Sequence, residues 1–300
     1  MLQDKVVIAD VTPIGEGLIS SFIILGNDKT AVVDPGPING YRKLKDKLGE
    51  LGVEPDYIIP THIHLDHGGA ACRLARDYPG SKVYVHPRGA RHLVDPSKLW
   101  NASKNVLGPV ADAYGEPVPC EESIVLETRD GEKLDLGGLT VEFIHTPGHA
   151  SHHQSIWVPE ISLMLSGDSA GVILPRGGDR AYIPTTPPPF RLDFYTESIR
   201  KMLSFAPSYI GPTHYGIYDG AVEYLERHLE QIQVWVYLAV RLAEKGETSP
   251  EAFLEEVRKI DDNAVFFLEN ENPIVQGSFI HTTAVGLMDY AVKLVSENRG

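Results

Sequence analysis

The chain has 300 residues, 42% of them hydrophobic, which suffices to bury a large core as one big domain or one domain with an appendage. With 27 Lys and Arg against 41 Asp and Glu, its formal charge is −14, and two divalent ions would reduce that only to about −10. A chain this acidic lacks the basic face that neutralises phosphates, so no nucleic-acid partner is expected.

The elements come in two waves. Strand-like runs at Val6-Val7-Ile8, 18–25 and 30–33 are separated by glycine and asparagine turns, and a helix fits 41–51. The apolar run Tyr57-Ile58-Ile59-Pro60 leads into Thr61-His62-Ile63-His64-Leu65-Asp66-His67-Gly68-Gly69. A strand end followed by a glycine-bearing turn projects His62 and His64 to one side, while Asp66 and His67 open the next helix and face a second point nearby. That is the layout of two adjacent metal sites. A helix over 68–78, the strand Lys82-Val83-Tyr84-Val85 and a helix or turn from Pro87 follow. Residues 96–123 show little periodicity and contain Pro96, Pro109, Pro117 and Pro119, so they are expected to form a long loop beside the site.

The second wave has strands near Ile124 and at 139–145, 154–158, 161–166 and 208–211, with a helix over 193–205. Three of its strands end on a metal-capable residue. His149 lies in the turn Thr146-Pro147-Gly148-His149, Asp168 follows Ser166-Gly167, and His214 follows Gly211-Pro212-Thr213. Two sheets with helices outside both form an αββα sandwich, an α/β architecture. Helical spacing then runs through 219–245, from Ser249-Pro250-Glu251, and over 278–296. The expected organisation is a catalytic region over 1–220 and a C-terminal helical appendage over 221–300. The appendage has 7 Lys/Arg and 14 Asp/Glu, which further disfavours a polyanion.

With these residues in view, the sequence resembles the metallo-β-lactamase-fold hydrolase superfamily, whose H-x-H-x-D-H signature is followed by an isolated His, an Asp and a final His. The resemblance spans about 5–220 and includes Val32-Val33-Asp34-Pro35-Gly36 as the first motif. It implies that His62, His64 and His149 hold one metal, that Asp66, His67 and His214 hold the other, and that Asp168 bridges them. Asp34 is then expected to accept a hydrogen bond from a ligand histidine and fix its tautomer, and His153 to be a structural histidine of the turn. The expected cofactors are two divalent metal ions, zinc in first place, with iron or manganese also suited to nitrogen and oxygen ligands.

Such a pair lowers the pKa of a shared water from about 15.7 toward 7, so no side-chain nucleophile is required. Asp66 is the candidate to orient that water. His281, early in the last helix, is the other catalytic candidate, and Tyr215 and Tyr218 are considered as hydrogen-bond donors. The bridging aspartate resembles glyoxalase II-like thioesterases, lactonases and small phosphodiesterases more than the β-lactam-hydrolysing enzymes. The expected partner is therefore a small-molecule ester, thioester, lactone or phosphodiester. Against glyoxalase II proper, Glu271-Asn272-Pro273-Ile274 is acidic where a basic glutathione-binding motif belongs. The alternative reading is an iron-dependent persulfide dioxygenase-like oxidoreductase or a β-lactamase.

The prolines of 184–189 form a stiff extended stretch expected near the site mouth, flanked by Arg176, Arg180 and Arg191 as candidate anion holders. His152 is expected to be exposed. No apolar run approaches the about 18 residues of a bilayer span, and Met1-Leu2-Gln3-Asp4-Lys5 starts no signal peptide, so a cytoplasmic protein without a membrane partner is expected. Cys72 and Cys120 lack C-x-x-C spacing and are expected to be structural thiols. The terminal helices could serve substrate recognition or pack against a neighbouring subunit in a homo-oligomer.

Overall fold

Alternation of side chains along the strands builds the frame. β1 (Val6–Asp10), β2 (Ser20–Leu25), β3 (Thr30–Val33), β4 (Tyr57–Ile59), β5 (Lys82–Val85) and β6 (Val125–Glu127) form one sheet in that order, antiparallel through β3 and parallel from β3 to β6. The second half of the chain supplies β7 (Lys133–Asp135), β8 (Thr140–His145), β9 (Gln154–Val158), β10 (Leu163–Leu165), the hairpin β11 (Val172–Arg176) and β12 (Asp179–Ile183), then β13 (Tyr209–Gly211) and β14 (Tyr218–Asp219). Its sheet runs β14-β13-β10-β9-β8-β7, and the hairpin stands apart as a two-stranded unit. The computed structural model describes residues 2–297; Met1 and residues 298–300, at the outer ends of the two expected regions, lie outside the described residues.

The central strands of both sheets are buried on both faces. Phe22, Ile24, Ala31, Val33 and Ile59 of the first sheet share one apolar cluster with Val141, Phe143, Ile156, Val158, Leu163 and Leu165 of the second. Their strand neighbours Ile23, Val32, Ile58, Trp157 and Met164 point the other way and join a separate cluster under the helices. This period of two, carried out on both sheets, makes the four layers of an αββα sandwich. Truncating a large side chain in the seam to alanine costs about 2–5 kcal/mol.

The helical layers are α1 (Tyr41–Leu51), α2 (Leu65–Gly68), α3 (Ala71–Asp77), α4 (Pro87–Val94), α5 (Ser97–Leu107), α6 (Pro109–Tyr114), α7 (Leu192–Ser204), α8 (Ala221–Glu244), α9 (Pro250–Arg258), α10 (Asp262–Leu268) and α11 (Thr282–Glu297). In α1 the buried Tyr41, Leu44 and Leu48 recur at helical spacing, and the helix stops at Gly52, whose φ is +66°. α3 covers β4 and β5, α8 lies along α11, and a π-helical turn, Val275–His281, leads directly into α11. The apolar cluster under the helices runs without a break from the sheets into α8–α11. No helix among the described residues is long and apolar enough to cross a membrane.

Three expectations are corrected. Residues 96–123 contain two helices, α5 and α6, rather than a long loop. The prolines misled because Pro96 precedes the first turn of α5 and Pro109 opens α6, positions where the missing N–H costs nothing. Cys72 and Cys120 are not thiols. They form a disulfide across 48 residues, with Cα atoms 4.8 Å apart, because α3 and the chain leaving α6 meet in space. His152 is half-buried rather than exposed, its ring lying 5.5 Å from that of His64. The hairpin β11–β12 and the helix α10 are elements that periodicity alone did not suggest.

Candidate metal centre

Seven side chains from four strand-end segments converge at one rim of the sandwich. After β4, Ile63 turns into the core, so the alternating His62 and His64 face the opposite way. α2 then presents Asp66 and His67, and it can turn so tightly because a Cβ on Gly69 would lie 2.2 Å from the Leu65 carbonyl oxygen. His149 comes from the turn after β8 and His214 from the chain after β13. Asp168 sits in the 3-10 turn Gly167–Ala170 after β10. Gly167 has φ +52°, and a Cβ there would meet His153 Nε2 at 2.5 Å.

The imidazole orientations are set by hydrogen bonds. His67 Nδ1 donates to Asp34 Oδ2 at 2.9 Å, His149 Nδ1 to the Thr185 carbonyl at 3.1 Å, and His214 Nδ1 to the Leu18 carbonyl at 2.8 Å. Thr61 Oγ1 donates to Asp34 Oδ2, so it accepts from His62 Nδ1 at 3.1 Å. Each of these rings therefore turns its Nε2 inward, the nitrogen through which it would bind a metal. His153 bonds Thr146 Oγ1 and accepts from the Asp168 backbone N–H at 3.1 Å, so it supports the turn that carries Asp168.

Two groups of inward atoms result. His62 Nε2 and His149 Nε2 lie 2.9 and 3.0 Å from His64 Nδ1. His67 Nε2 and His214 Nε2 lie 3.9 and 3.7 Å from Asp66 Oδ2. Asp168 stands between them: Oδ1 is 3.3 Å from His67 Nε2 and 3.5 Å from His214 Nε2, while Oδ2 is 3.5 Å from His149 Nε2. His62, His64 and His149 form one grouping able to hold an ion, Asp66, His67 and His214 another, and His62, His67 and Asp168 a third.

The donors fit divalent metal. His67 Nε2, His214 Nε2 and Asp168 Oδ1 are buried without hydrogen-bond partners, and polar atoms left that way cost free energy unless a ligand satisfies them. The electrostatics agree. Burial first, then the neighbouring imidazoles, pushes His62 and His64 well below the usual histidine range, and burial likewise lowers His149, so these rings are neutral. Burial acts against charge on His67 too, but the Asp168, Asp34 and Asp66 carboxylates outweigh it and raise its pKa. The same burial disfavours ionised Asp168, yet His67, His214 and His149 hold it well below the carboxylate range. Neutral imidazoles and an ionised carboxylate are the ligand forms a cation selects.

Other candidates lie elsewhere. His281 is exposed, whereas Ser278, Phe279 and Thr282 around it line the cavity of about 200 Å³ above His64, Asp66, His149 and Asp168. Tyr215 and Tyr218 do not line it, and the Tyr218 hydroxyl donates to the Tyr215 carbonyl. Arg176 stacks on Phe266, Arg180 donates to the Asp219 carbonyl, and Arg191 pairs with Asp193. Thr185, Pro187 and Pro188 of the proline stretch do reach the cavity. Missed by sequence reasoning were Thr61 and Thr213, both bonded to Asp34; the repeated Thr-His pairs Thr61-His62 and Thr213-His214 were the available signal. Tyr114 was also missed, and nothing in its surroundings in sequence marks it.

An αββα sandwich with a buried His and Asp cluster at its rim is the layout of a metal-binding member of a metallo-hydrolase superfamily. The chain belongs to the metallo-β-lactamase superfamily, whose family description matches residues 14–214. It is 32% identical over 217 residues to the metallo-β-lactamase fold-containing protein ST1585 of Sulfurisphaera tokodaii, covering 70% of this chain and 77% of that one. The crystal structure of the archaeal superfamily protein ST1585 from Sulfolobus tokodaii superposes with a TM-score of 0.73 at 25% identity, over 95% of this chain and 98% of that one. The metallo-β-lactamase family protein TTHA1429 from Thermus thermophilus shares the fold, with a TM-score of 0.71 at 18% identity over 99% of this chain and 95% of that one. The probable metallo-hydrolase YqgX of Bacillus subtilis is 31% identical over 166 residues, 55% of this chain and 71% of its own.

Proposed function

We propose that the protein is a dinuclear metal-dependent hydrolase of a small ester, thioester, lactone or phosphodiester, glyoxalase II-like in its ligand set. The observation that carries this reading is Asp168, whose two carboxylate oxygens face the two ligand groups separately, at 3.3 Å from His67 Nε2 and 3.5 Å from His149 Nε2. His62, His64 and His149 would hold one ion, Asp66, His67 and His214 the other, and Asp168 both; zinc is the first choice, with iron or manganese also suited. Two such ions supply Lewis acidity and bring the pKa of water toward about 7.

The chain's own residues do the rest. Asp34, Thr61, Thr185 and the Leu18 carbonyl hold four imidazoles in one tautomer and one orientation, so little reorganisation remains when substrate arrives. Asp66 lines the cavity, and its carboxylate is placed to accept a hydrogen bond from the attacking water and align its lone pair. In the reaction, water oxygen bonds the acyl or phosphoryl centre, the bond to the leaving oxygen or sulfur breaks, and the leaving atom takes a proton. The support from relatives is coarse, a probable metallo-hydrolase among them.

Metal quantification coupled to a substrate panel tests the reading. Two ions per chain and hydrolysis of at least one ester, thioester, lactone or phosphodiester are expected, and Asp168→Ala should lose metal and activity together. One iron per chain with sulfite formed from a persulfide would overturn the hydrolase reading in favour of a dioxygenase. Full activity of Asp168→Ala with two ions bound would overturn the bridging role.

A further inference from the structure

Helix α5 turns its apolar stripe toward a void. Leu99, Ala102, Ser103, Val106 and Leu107 recur at three- and four-residue spacing on one face, and all five line the cavity above the ligand cluster. An amphipathic helix ordinarily buries such a face in the core, but in α5 only Trp100 is buried, and Val106 remains 54% exposed. Leu65, Phe279 and the two prolines Pro187 and Pro188 contribute further apolar lining. The wall is anchored: Asn39 Nδ2 donates to the Asp112 and Ala113 carbonyls of α6 at 3.1 and 3.0 Å, and the Cys72–Cys120 disulfide ties the chain just beyond α6 to α3.

The lining contains no Lys or Arg among the described residues, and its remaining polar members outside the ligand cluster, Ser103, Thr185, Ser278 and Thr282, are neutral. An anionic substrate arm laid along α5 would therefore find no cationic side chain in that part of the lining to pair with. An aliphatic arm would instead remove apolar surface from water on both sides at once. The cavity of about 200 Å³ has room for a short aliphatic arm beside the ligand cluster.

We propose that the substrate is a carboxylic ester or lactone with an uncharged aliphatic arm laid along the Leu99–Leu107 face of α5. This narrows the hydrolase reading and rests on it. Water adds to the ester carbonyl carbon, the carbon–oxygen bond to the alcohol breaks, and the alcohol oxygen takes a proton, leaving the acid and the alcohol.

The test has two arms. The metal-loaded protein is assayed on p-nitrophenyl esters from acetate to dodecanoate, on alkyl lactones, and on an anionic hemisuccinate ester. kcat/KM should climb up to about fourfold per added methylene while the arm stays on the α5 face, then level, with the hemisuccinate poor. Ala102→Trp, which fills the wall, should reduce the hexanoate-to-acetate ratio by about tenfold or more. Separately, calorimetry should show 1-hexanol binding more tightly than 1-butanol with a negative heat-capacity change, and Ala102→Trp should lose that difference. Hydrolysis that ignores chain length, or that favours the hemisuccinate, would overturn the aliphatic arm and leave the hydrolase reading standing. Chain-length-dependent alcohol binding without hydrolysis of any ester, thioester, lactone or phosphodiester would overturn the hydrolase reading and keep the apolar subsite, whereas hydrolysis of thioesters or phosphodiesters alone would overturn the ester or lactone assignment.

Discussion

Asp34 Oδ2 accepts a hydrogen bond from His67 Nδ1 at 2.9 Å, joining the end of β3 to the ligand helix α2. The same carboxylate accepts from the Thr61 backbone N–H at 2.6 Å, from Thr61 Oγ1 at 2.9 Å and from Thr213 Oγ1. It therefore ties together the segments carrying His62, His67 and His214. Asp34→Ala leaves three buried donors unpaired and frees the His67 ring. A 10–100-fold loss of metal affinity is expected, together with a loss of about 2–4 kcal/mol in stability. Metal titration and urea melts measure both, and wild-type affinity in the variant would dismiss the orienting role.

Tyr114 has the opposite status. Its hydroxyl is buried without a hydrogen-bond partner. Burial, and after it the charge of Asp66, raises its pKa well above the usual tyrosine value, with Ser278 opposing. A buried hydroxyl that reaches Asp66 and Ser278 without a well-formed hydrogen bond costs more than it contributes, so Tyr114→Phe should raise stability by about 1 kcal/mol. A lower melting temperature for the variant would show that the hydroxyl finds a partner in solution.

The Cys72–Cys120 bond closes a loop with 48 residues of separation around α4, α5 and α6. Loop-closure entropy for that length amounts to about 4 kcal/mol, lowered by whatever structure the unfolded chain retains. Replacing both cysteines with serine should reduce the unfolding free energy by up to that amount, and dithiothreitol should reproduce the shift in the wild type. Equal denaturation midpoints with and without reductant would reject the bond's contribution. A reducing cytosol usually keeps thiols reduced, so alkylation of freshly lysed cells also tests the cytoplasmic expectation.

His228 on α8 offers a pH signature from outside the proposed ligand set. Tyr195 Oη lies 2.8 Å from its Nε2, and its Nδ1 faces Gln231 Oε1 at 3.2 Å. Burial lowers its pKa to about 4, against the opposing Gln231 hydrogen bond and Asp261 charge. The folded state thus favours the neutral ring, while the unfolded chain protonates it near pH 6.5. This contribution is complete above about pH 6.5 and is lost as the pH falls toward 4, by about 3 kcal/mol in all. The stability difference between wild type and His228→Phe should shift by about that amount between pH 7 and pH 4, read from urea melts. A difference constant across that range would contradict the assignment.

The candidate centre was legible in sequence to the extent that its proposed ligands sit at strand ends. A period of two around Ile63 already separates His62 and His64 from the core, and each of the turns at His149, Asp168 and His214 follows an apolar strand. The two sheets could be read for the same reason, since Phe22 and Ile24 face one neighbour and Ile23 the other. These are local rules, written in spacing.

What spacing does not encode is which distant segments meet. The convergence of Asp34, Thr61 and Thr213, the pairing of Cys72 with Cys120, and the orphaned Tyr114 hydroxyl beside Asp66 depend on contacts across tens to hundreds of residues. The helices at 97–114 were hidden because proline before or at a first turn reads locally as a breaker, and only the finished helix shows its stripe facing the cavity. So the sequence by itself determined the two-sheet frame and the ligand types. Tertiary packing decided the tautomer of each ring, the closure of the wall and the apolar character of the cavity, because burial and hydrogen-bond partners are properties of the folded whole.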